Sequence, residues 1–331
     1  MPRSLIVMPD DTVKPILAAI EAARKSLRVK MFIFSDPGLL QALIAAHQRG
    51  VNVKVMLNPK RRDGEGENEA TRQALSRAGI QVADSNPAFQ VTHEKSMLVD
   101  DTTAFIKSLN WEPKNLTETR DYAVVTDQPG EVAEAIACFD ADWARKDFAT
   151  EGRELIWCKG NGRDRIAKFI DDARHSLFLE NERYQDPIII EHLVRAKERG
   201  VKVHVMARPP HTLKAAKLEE GIGGLRVMKD VGIKVHKLKH IKLHGKMLLA
   251  DGARAIIGSI NLAPGSFDSR RELAIEVEDP AILDRLRKVV HSDWDNSHPI
   301  DLTDKGLQAD LEKHDMAGTD LALKTGLHPG A

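Results

Sequence analysis

The stretch Thr92-His93-Glu94-Lys95-Ser96-Met97-Leu98-Val99-Asp100 decides how this chain is read. Its polar skeleton returns in Leu243-His244-Gly245-Lys246-Met247-Leu248-Leu249-Ala250-Asp251, 151 positions later (244 − 93). Each copy runs His, one residue, Lys, four mostly apolar residues, Asp. One match of this kind carries little weight, whereas two at a fixed separation require a reason for the set being present twice.

Outward from the motif, the rest of the chain repeats with it. Ile20-Glu21-Ala22-Ala23-Arg24-Lys25-Ser26-Leu27 aligns with Ile170-Asp171-Asp172-Ala173-Arg174-His175-Ser176-Leu177 at an offset of 150. Arg49-Gly50-Val51-Asn52-Val53 and Arg199-Gly200-Val201-Lys202-Val203 keep that offset, which becomes 151 at the motif and holds to Asp142-Trp143 and Asp293-Trp294. A constant offset over most of each half means that a whole domain was duplicated, not a small solenoid unit. The reading is residues 1–150 as a first half, 151–300 as a second and 301–331 as a tail, with the boundary near 150–161. The tail shows no clear apolar face, so a mobile segment is the plainer expectation and a lid over the site the sharper one.

Within the first half, Val13, Ile16, Leu17, Ile20 and Ala23 share a face at helical spacing, predicting a helix over residues 12–25. Residues 27–34 favour strand, residues 39–49 form a helix closed by Gly50, and Val51, Val53, Val55 and Leu57 alternate as a strand does. A further helix over 69–78 precedes a strand that Ser85-Asn86-Pro87 ends. Helices and strands in this order give an α/β fold, so the expectation is two duplicated α/β halves with mixed sheets flanked by helices.

At 331 residues the chain can bury a sizeable core, and its 49 Lys plus Arg balance 49 Asp plus Glu. That balance is unlike a strongly basic nucleic-acid binder, so any attraction for anions must be local. Cys138 and Cys158 lack metal-ligand spacing and read as reduced, partly buried thiols. The first residues contain too short an apolar run for a signal peptide, and no later run is long enough to span a bilayer. A cytoplasmic protein is expected, with peripheral membrane contact left open.

On a strand, His93, Lys95, Met97 and Val99 would share one face, and Asp100 would fall on the other parity. Asp100 and Asp251 are therefore expected to serve the turn. If each motif opens a hairpin centred on that turn, His93 lies opposite Asn110 and Lys95 opposite Ser108. In the second half, His244 lies opposite Asn261 and Lys246 opposite Ser259. Each hairpin would then present His, Lys, Ser and Asn together. Such a set suits a phosphodiester: lysine supplies charge, Asn and Ser supply donors, and imidazole attacks phosphorus or transfers a proton near neutral pH. Eleven residues beyond each Asn stands a carboxylate, Asp121 or Glu272, which could orient a histidine through its second nitrogen.

With these residues in view, the paired His-x-Lys-x4-Asp motifs, each followed by Ser-x-Asn, resemble the phospholipase D superfamily over nearly all of residues 10–298. The resemblance implies two α/β halves about a pseudo-twofold axis, one site between them, a phosphohistidine intermediate and no cofactor or metal. Carried over, His93 is the nucleophile and His244 the general acid and then base. Lys95, Lys246, Asn110 and Asn261 hold the phosphate, with Ser108 and Ser259 in support, and Asp121 and Glu272 match the downstream acids. The chain departs from the pattern at Lys107, where Gly precedes Ser in the family as it does at Gly258. Parity predicts that Lys107 faces away from the cluster.

Outside the motifs, Trp143 and Trp294 read as core packing and Lys60-Arg61-Arg62 as a solvated loop. Residues 231–246 hold five lysines, three histidines and no acid, and read as a basic wall for an anionic substrate. The expected function is hydrolysis of a phospholipid headgroup or transfer of the phosphatidyl group to an alcohol. A metal-independent nuclease is the alternative, with nucleic acid as its partner, and a non-catalytic binder of phosphorylated ligands is a third reading. A duplicated chain needs no protein partner to complete such a site.

Overall fold

The computed structural model describes residues 3–59, 66–213 and 218–314. Two mixed sheets carry the two halves. In the first, the order is Ser4–Met8, Thr119–Thr126, Thr103–Lys107, Ser96–Val99, Ser26–Met31, Asn52–Leu57, Gln81–Asp84. The last three strands run parallel to one another and the others are antiparallel. The second sheet repeats this arrangement from Ile156–Cys158 and Arg270–Val277 to Lys234–Leu238, and adds Ser297–Pro299 at its far edge.

Matching local signals explain the matching elements. Asp36 and Asp186 each cap a helix by accepting a backbone N–H three residues on, with Pro37 and Pro187 pre-set at the first helical position. Those helices end before Gly50 and Gly200, whose φ values of 91° and 89° need glycine.

Three cores follow. One lies beneath the first half's helices around Leu27, Val29, Leu43 and Trp111, and a second does the same for the second half around Leu177, Leu179, Leu193 and Val205. The third is shared. Leu98, Ile106, Tyr122 and Val124 of the first sheet meet Met247, Leu249, Ile257 and Ile275 of the second, and the helices Pro129–Trp143 and Pro280–Asp295 complete it. At roughly 25 cal/mol per Å² of apolar surface, a core drawn from both sheets makes the halves one folding unit more than two linked domains.

The described part of the tail, residues 301–314, differs from its plainer expectation. Thr303 caps a helix, Asp304–Lys313, through the Gly306 amide, and Leu307 and Leu311 enter the second half's core. Only two apolar side chains anchor it, which is why no periodic face stands out in the sequence. Residues 315–331 and the Lys60-Arg61-Arg62 loop lie outside the described residues. Among the described residues no helix is long and apolar enough to cross a membrane.

Candidate active site

Two short segments cross between the halves and place the histidines. Val91–Thr92 pairs in parallel with Arg270 and Arg271 of the second half, and Lys242–Leu243 pairs in parallel with Thr119 and Arg120 of the first. Past the crossing, the amides of His93 and Glu94 both donate to the Arg271 carbonyl at 2.9 Å. Those of His244 and Gly245 donate to the Arg120 carbonyl at 3.3 and 2.7 Å. Each histidine therefore hangs from the sheet of the opposite half.

The carboxylates meet the histidines across the same boundary. His93 Nδ1 lies 2.8 Å from Glu272 Oε2, and His244 Nδ1 lies 2.8 Å from Asp121 Oδ1. With Nδ1 donating to a carboxylate, Nε2 of each ring is the nitrogen left for chemistry. The carboxylates are themselves held. Asp121 accepts from Ser108 and Thr119 at 2.6 Å each and from Asn115 at 3.4 Å, while Glu272 accepts from Ser266 at 2.8 Å.

The hairpin register is one residue away from the expectation. Ser96 faces Ile106 and Met97 faces Phe105, so Lys95 lies opposite Lys107 and not Ser108. The second hairpin has the same shift, with Met247 facing Ile257 and the Gly258 amide donating to the Lys246 carbonyl at 3.2 Å. The cause is an odd connection of three residues: Asp100 and Asp101 take φ values of 53° and 59° in a tight turn, and Thr102 follows before the next strand begins. The ladder then stops at Ser96 and Lys107, so strand parity does not govern residues 93–95 or 108–110. As a result the expected grouping of His, Lys, Ser and Asn within one half is replaced by a mixed one. Ser108 supports the carboxylate of His244, and the Ser259 carbonyl lies 3.2 Å from His93.

The remaining residues of the expected site are placed as follows. Lys95 and Lys246 curl back, each ammonium donating to the carbonyl of the histidine two residues earlier. Asn110 and Asn261 are buried, and the side-chain oxygen of each has no hydrogen-bond partner among the described residues. Asp100 and Asp251 sit in the turns, away from both rings. The Asp100 carboxylate accepts from the amides of Arg24, Lys25 and Ser26, and that of Asp251 from Arg174, His175 and Ser176. Lys107 is fully buried, over the Trp111 ring at 4.9 Å, and its amine has no hydrogen-bond partner among the described residues. At the mate position a Cβ on Gly258 would come within 2.3 Å of the Leu273 carbonyl, so only glycine fits there.

Electrostatics separates the two sides. Burial, then the charges of Lys95, Lys246 and Arg270, push His93 well below the ordinary imidazole range, which favours the neutral ring. Burial raises Glu272 against the pull of Lys95 and Arg270. Burial also opposes ionisation of Asp121, but His244, Lys246 and Ser108 together hold it below the usual carboxylate range. Burial and the neighbouring Lys246 push Lys95 well down.

The expected basic wall is partly neutralised. Lys237 pairs with Asp310, Lys242 with Glu118 and Lys246 with Glu182 at 3.3, 2.8 and 2.8 Å, while His236 stacks on Trp294. The acids come from distant parts of the chain, which a local scan of residues 231–246 does not see. Trp143 stacks on Phe139, and both cysteines are free and buried. Two groups of metal-capable side chains exist among the described residues, Glu94 with Cys138 and Asp142, and His211 with Asp310 and His314, and neither includes the paired histidines. The first already surrounds the Lys30 ammonium, which lies 2.8 Å from both carboxylates.

Several contributors escape the sequence reading. Asn115 and Ser266 are mates at offset 151, both polar and both six residues before a carboxylate, which was a usable signal. Phe32, Glu182, Arg208 and Arg270 also reach the rings or their partners, but their mates are of different chemical type, so a search for repeated residues passes over them.

A family model described as "Cardiolipin synthase, PLD-like domain" matches residues 16–143 and again 166–294. Cardiolipin synthase B of Escherichia coli strain K12 is 26% identical over 332 residues, covering 84% of this chain and 78% of that protein. The crystal structure of phosphatidylserine synthase from Haemophilus influenzae Rd KW20 matches at a TM-score of 0.71 and 12% identity, covering 97% of this chain and 94% of that one. Polyphosphate kinase from Porphyromonas gingivalis also reaches 0.71 at 18% identity, with 90% of this chain spanning 48% of the kinase. Likeness at such identities concerns the fold alone.

Proposed function

The chain belongs to the cardiolipin synthase, PLD-like domain family, and from that premise we propose that it cleaves a phospholipid phosphodiester through a phosphohistidine, passing the phosphatidyl group to water or an alcohol. The observation that carries the reading is the pair of crossed bonds, His93 to Glu272 and His244 to Asp121, each 2.8 Å. They leave two Nε2 atoms for one phosphate between the halves.

Neutral His93 Nε2 attacks phosphorus. The bond from phosphorus to the headgroup oxygen breaks, and protonated His244 gives its Nε2 proton to the departing oxygen. In the second step neutral His244 takes the proton of water or an acceptor alcohol, whose oxygen attacks phosphorus and frees His93. Lys95, Lys246, Asn110 and Asn261 hold the non-bridging oxygens as charge builds on them. Asp121 and Glu272 keep both rings in the required tautomer.

Lipid is favoured over nucleic acid for two reasons. Similarity to cardiolipin synthase B runs over most of both chains. Two lysines of the basic run that could have followed a nucleic-acid backbone, Lys237 and Lys242, are paired with acids.

The test offers liposomes of phosphatidylglycerol, phosphatidylcholine or cardiolipin, and single-stranded DNA or RNA, to wild type and to His93→Asn and His244→Asn in EDTA. Release or exchange of a lipid headgroup with wild type is expected. His244→Asn should accumulate base-stable, acid-labile phosphate on the protein, and His93→Asn should carry none. Cleavage of nucleic acid with every lipid intact would replace the lipid reading by the nuclease one.

A further inference from the structure

The duplication lets every residue be compared with its mate, and the sharpest difference beside the reactive rings is at Phe32 and Glu182, 150 positions apart. Phe32 meets His93 edge-on, with ring centroids 4.9 Å apart, and lies 5.1 Å from the Lys95 ammonium. Glu182 puts a carboxylate in the corresponding place. Its Oε2 lies 2.8 Å from Lys246 Nζ and 3.8 Å from His244 Nε2, and its Oε1 accepts from Arg208 at 2.9 Å. His244 Nδ1 is already bound to Asp121, so Glu182 faces the one nitrogen that must meet an oxygen of the substrate. Burial works against its ionisation, yet Lys246, His244 and Arg208 hold it well below the usual carboxylate range. An anion of the protein's own thus stands at the edge of a site built for anions.

We propose that Glu182 is a charge-selecting residue, which admits the single charge of a phosphodiester and disfavours the double charge of a phosphomonoester, the product of hydrolysis. This rests on the phosphodiester reading above. A diester keeps one negative charge at all working pH values, whereas a monoester acquires its second near pH 6. Each ligand charge is repelled by the fixed carboxylate in a mostly buried setting, so the dianion is repelled about twice as strongly. Lys246 and Arg208 cannot compensate fully, because both are engaged by Glu182 itself. The Phe32 side carries no such filter, so discrimination falls on the side where the alcohol leaves and water or acceptor enters.

The experiment uses the full chain, with bis(4-nitrophenyl) phosphate as diester substrate and phenyl phosphate as monoester inhibitor. At about pH 8 we expect Glu182→Gln to lower the inhibition constant of phenyl phosphate by roughly tenfold and the KM of the diester by roughly threefold. Near pH 5, where the monoester is largely monoanionic, the two factors should converge. Glu182→Asp, which keeps the charge, should keep the wild-type ratio. Equal factors for both ligands at about pH 8, or loss of discrimination in Glu182→Asp as well, would overturn the selecting role while leaving diester turnover intact. If wild type neither turns over the diester nor binds phenyl phosphate, the phosphodiester reading fails and this proposal with it. Thermal melting of each variant separates these outcomes from misfolding.

Discussion

Asp142 of the first half grips Arg271 of the second through two hydrogen bonds of 2.9 and 3.0 Å, buried where the two sheets meet. Asp293 grips Arg120 in the mirrored position at 2.7 and 2.9 Å. Each arginine immediately precedes a carboxylate that orients a histidine, so these bridges fix the strand starts from which the site is built. Arg271→Ala should destabilise the chain by about 3–5 kcal/mol in urea unfolding, because it strips a partner from a buried carboxylate. Asp142 is held at about 2 by Lys30 and Arg271 against its burial, so the loss is full at neutral pH and fades as pH falls from 3.8 to about 2.

The carboxylates behind the rings give a second prediction. Asp121→Asn and Glu272→Gln preserve shape but allow the wrong tautomer, and kcat should fall by about 10²–10⁴ with little change in KM. A rise in KM with kcat unchanged would place these side chains in substrate binding instead.

In the proposed reaction His93 attacks as the neutral ring, and its environment disfavours the proton. The acid limb of kcat/KM should therefore lie below the ordinary imidazole value of 6.5. Lys95→Met removes the charge that, after burial, does most to disfavour the His93 proton, and should move that limb to higher pH while lowering the overall rate.

Lys107 offers a prediction about stability alone. Burial without a partner lowers its amine from 10.5 to about 7. The folded state therefore binds fewer protons than the unfolded chain between those values, and wild-type stability rises with pH across the window. Below about 7 the cost of burying the lysine is full; above 10.5 it is gone. Lys107→Met should be more stable than wild type at neutral pH, with the advantage shrinking by about 1.4 kcal/mol per pH unit as pH rises through the window.

Leu307→Ala and Leu311→Ala remove the apolar anchors of the last described helix. Each should cost about 2–5 kcal/mol or release that helix from the second half. Proteolysis near residue 303, with the remaining chain still folded, would report the release.

The duplicated α/β plan was legible because its signals are local and occur twice: the capping Asp36 and Asp186, the closing Gly50 and Gly200, and the alternating strand residues. The repeated histidines, lysines and downstream carboxylates of the candidate site were legible for the same reason. What the sequence could not convey was which half serves which. Strand parity assumes both the turn length and a ladder that continues; here a three-residue turn shifts the register by one, the ladder ends at Ser96, and Ser108 and Ser259 serve the opposite histidine. The pairing of Lys237 and Lys242 with Asp310 and Glu118 is equally invisible locally, because charges meet through the fold and not along the chain.

The two crossing segments carry one more implication. Were residues 1–150 to assemble with an identical copy, each His93 could still find a carboxylate, Asp121 of its neighbour, but both flanks of the phosphate would carry Phe32. Two copies of the second half would carry Glu182 on both. On the proposed reaction, joining unlike copies in one polypeptide frees the entering and leaving sides of a single phosphorus to diverge, a freedom that strict homodimer symmetry denies.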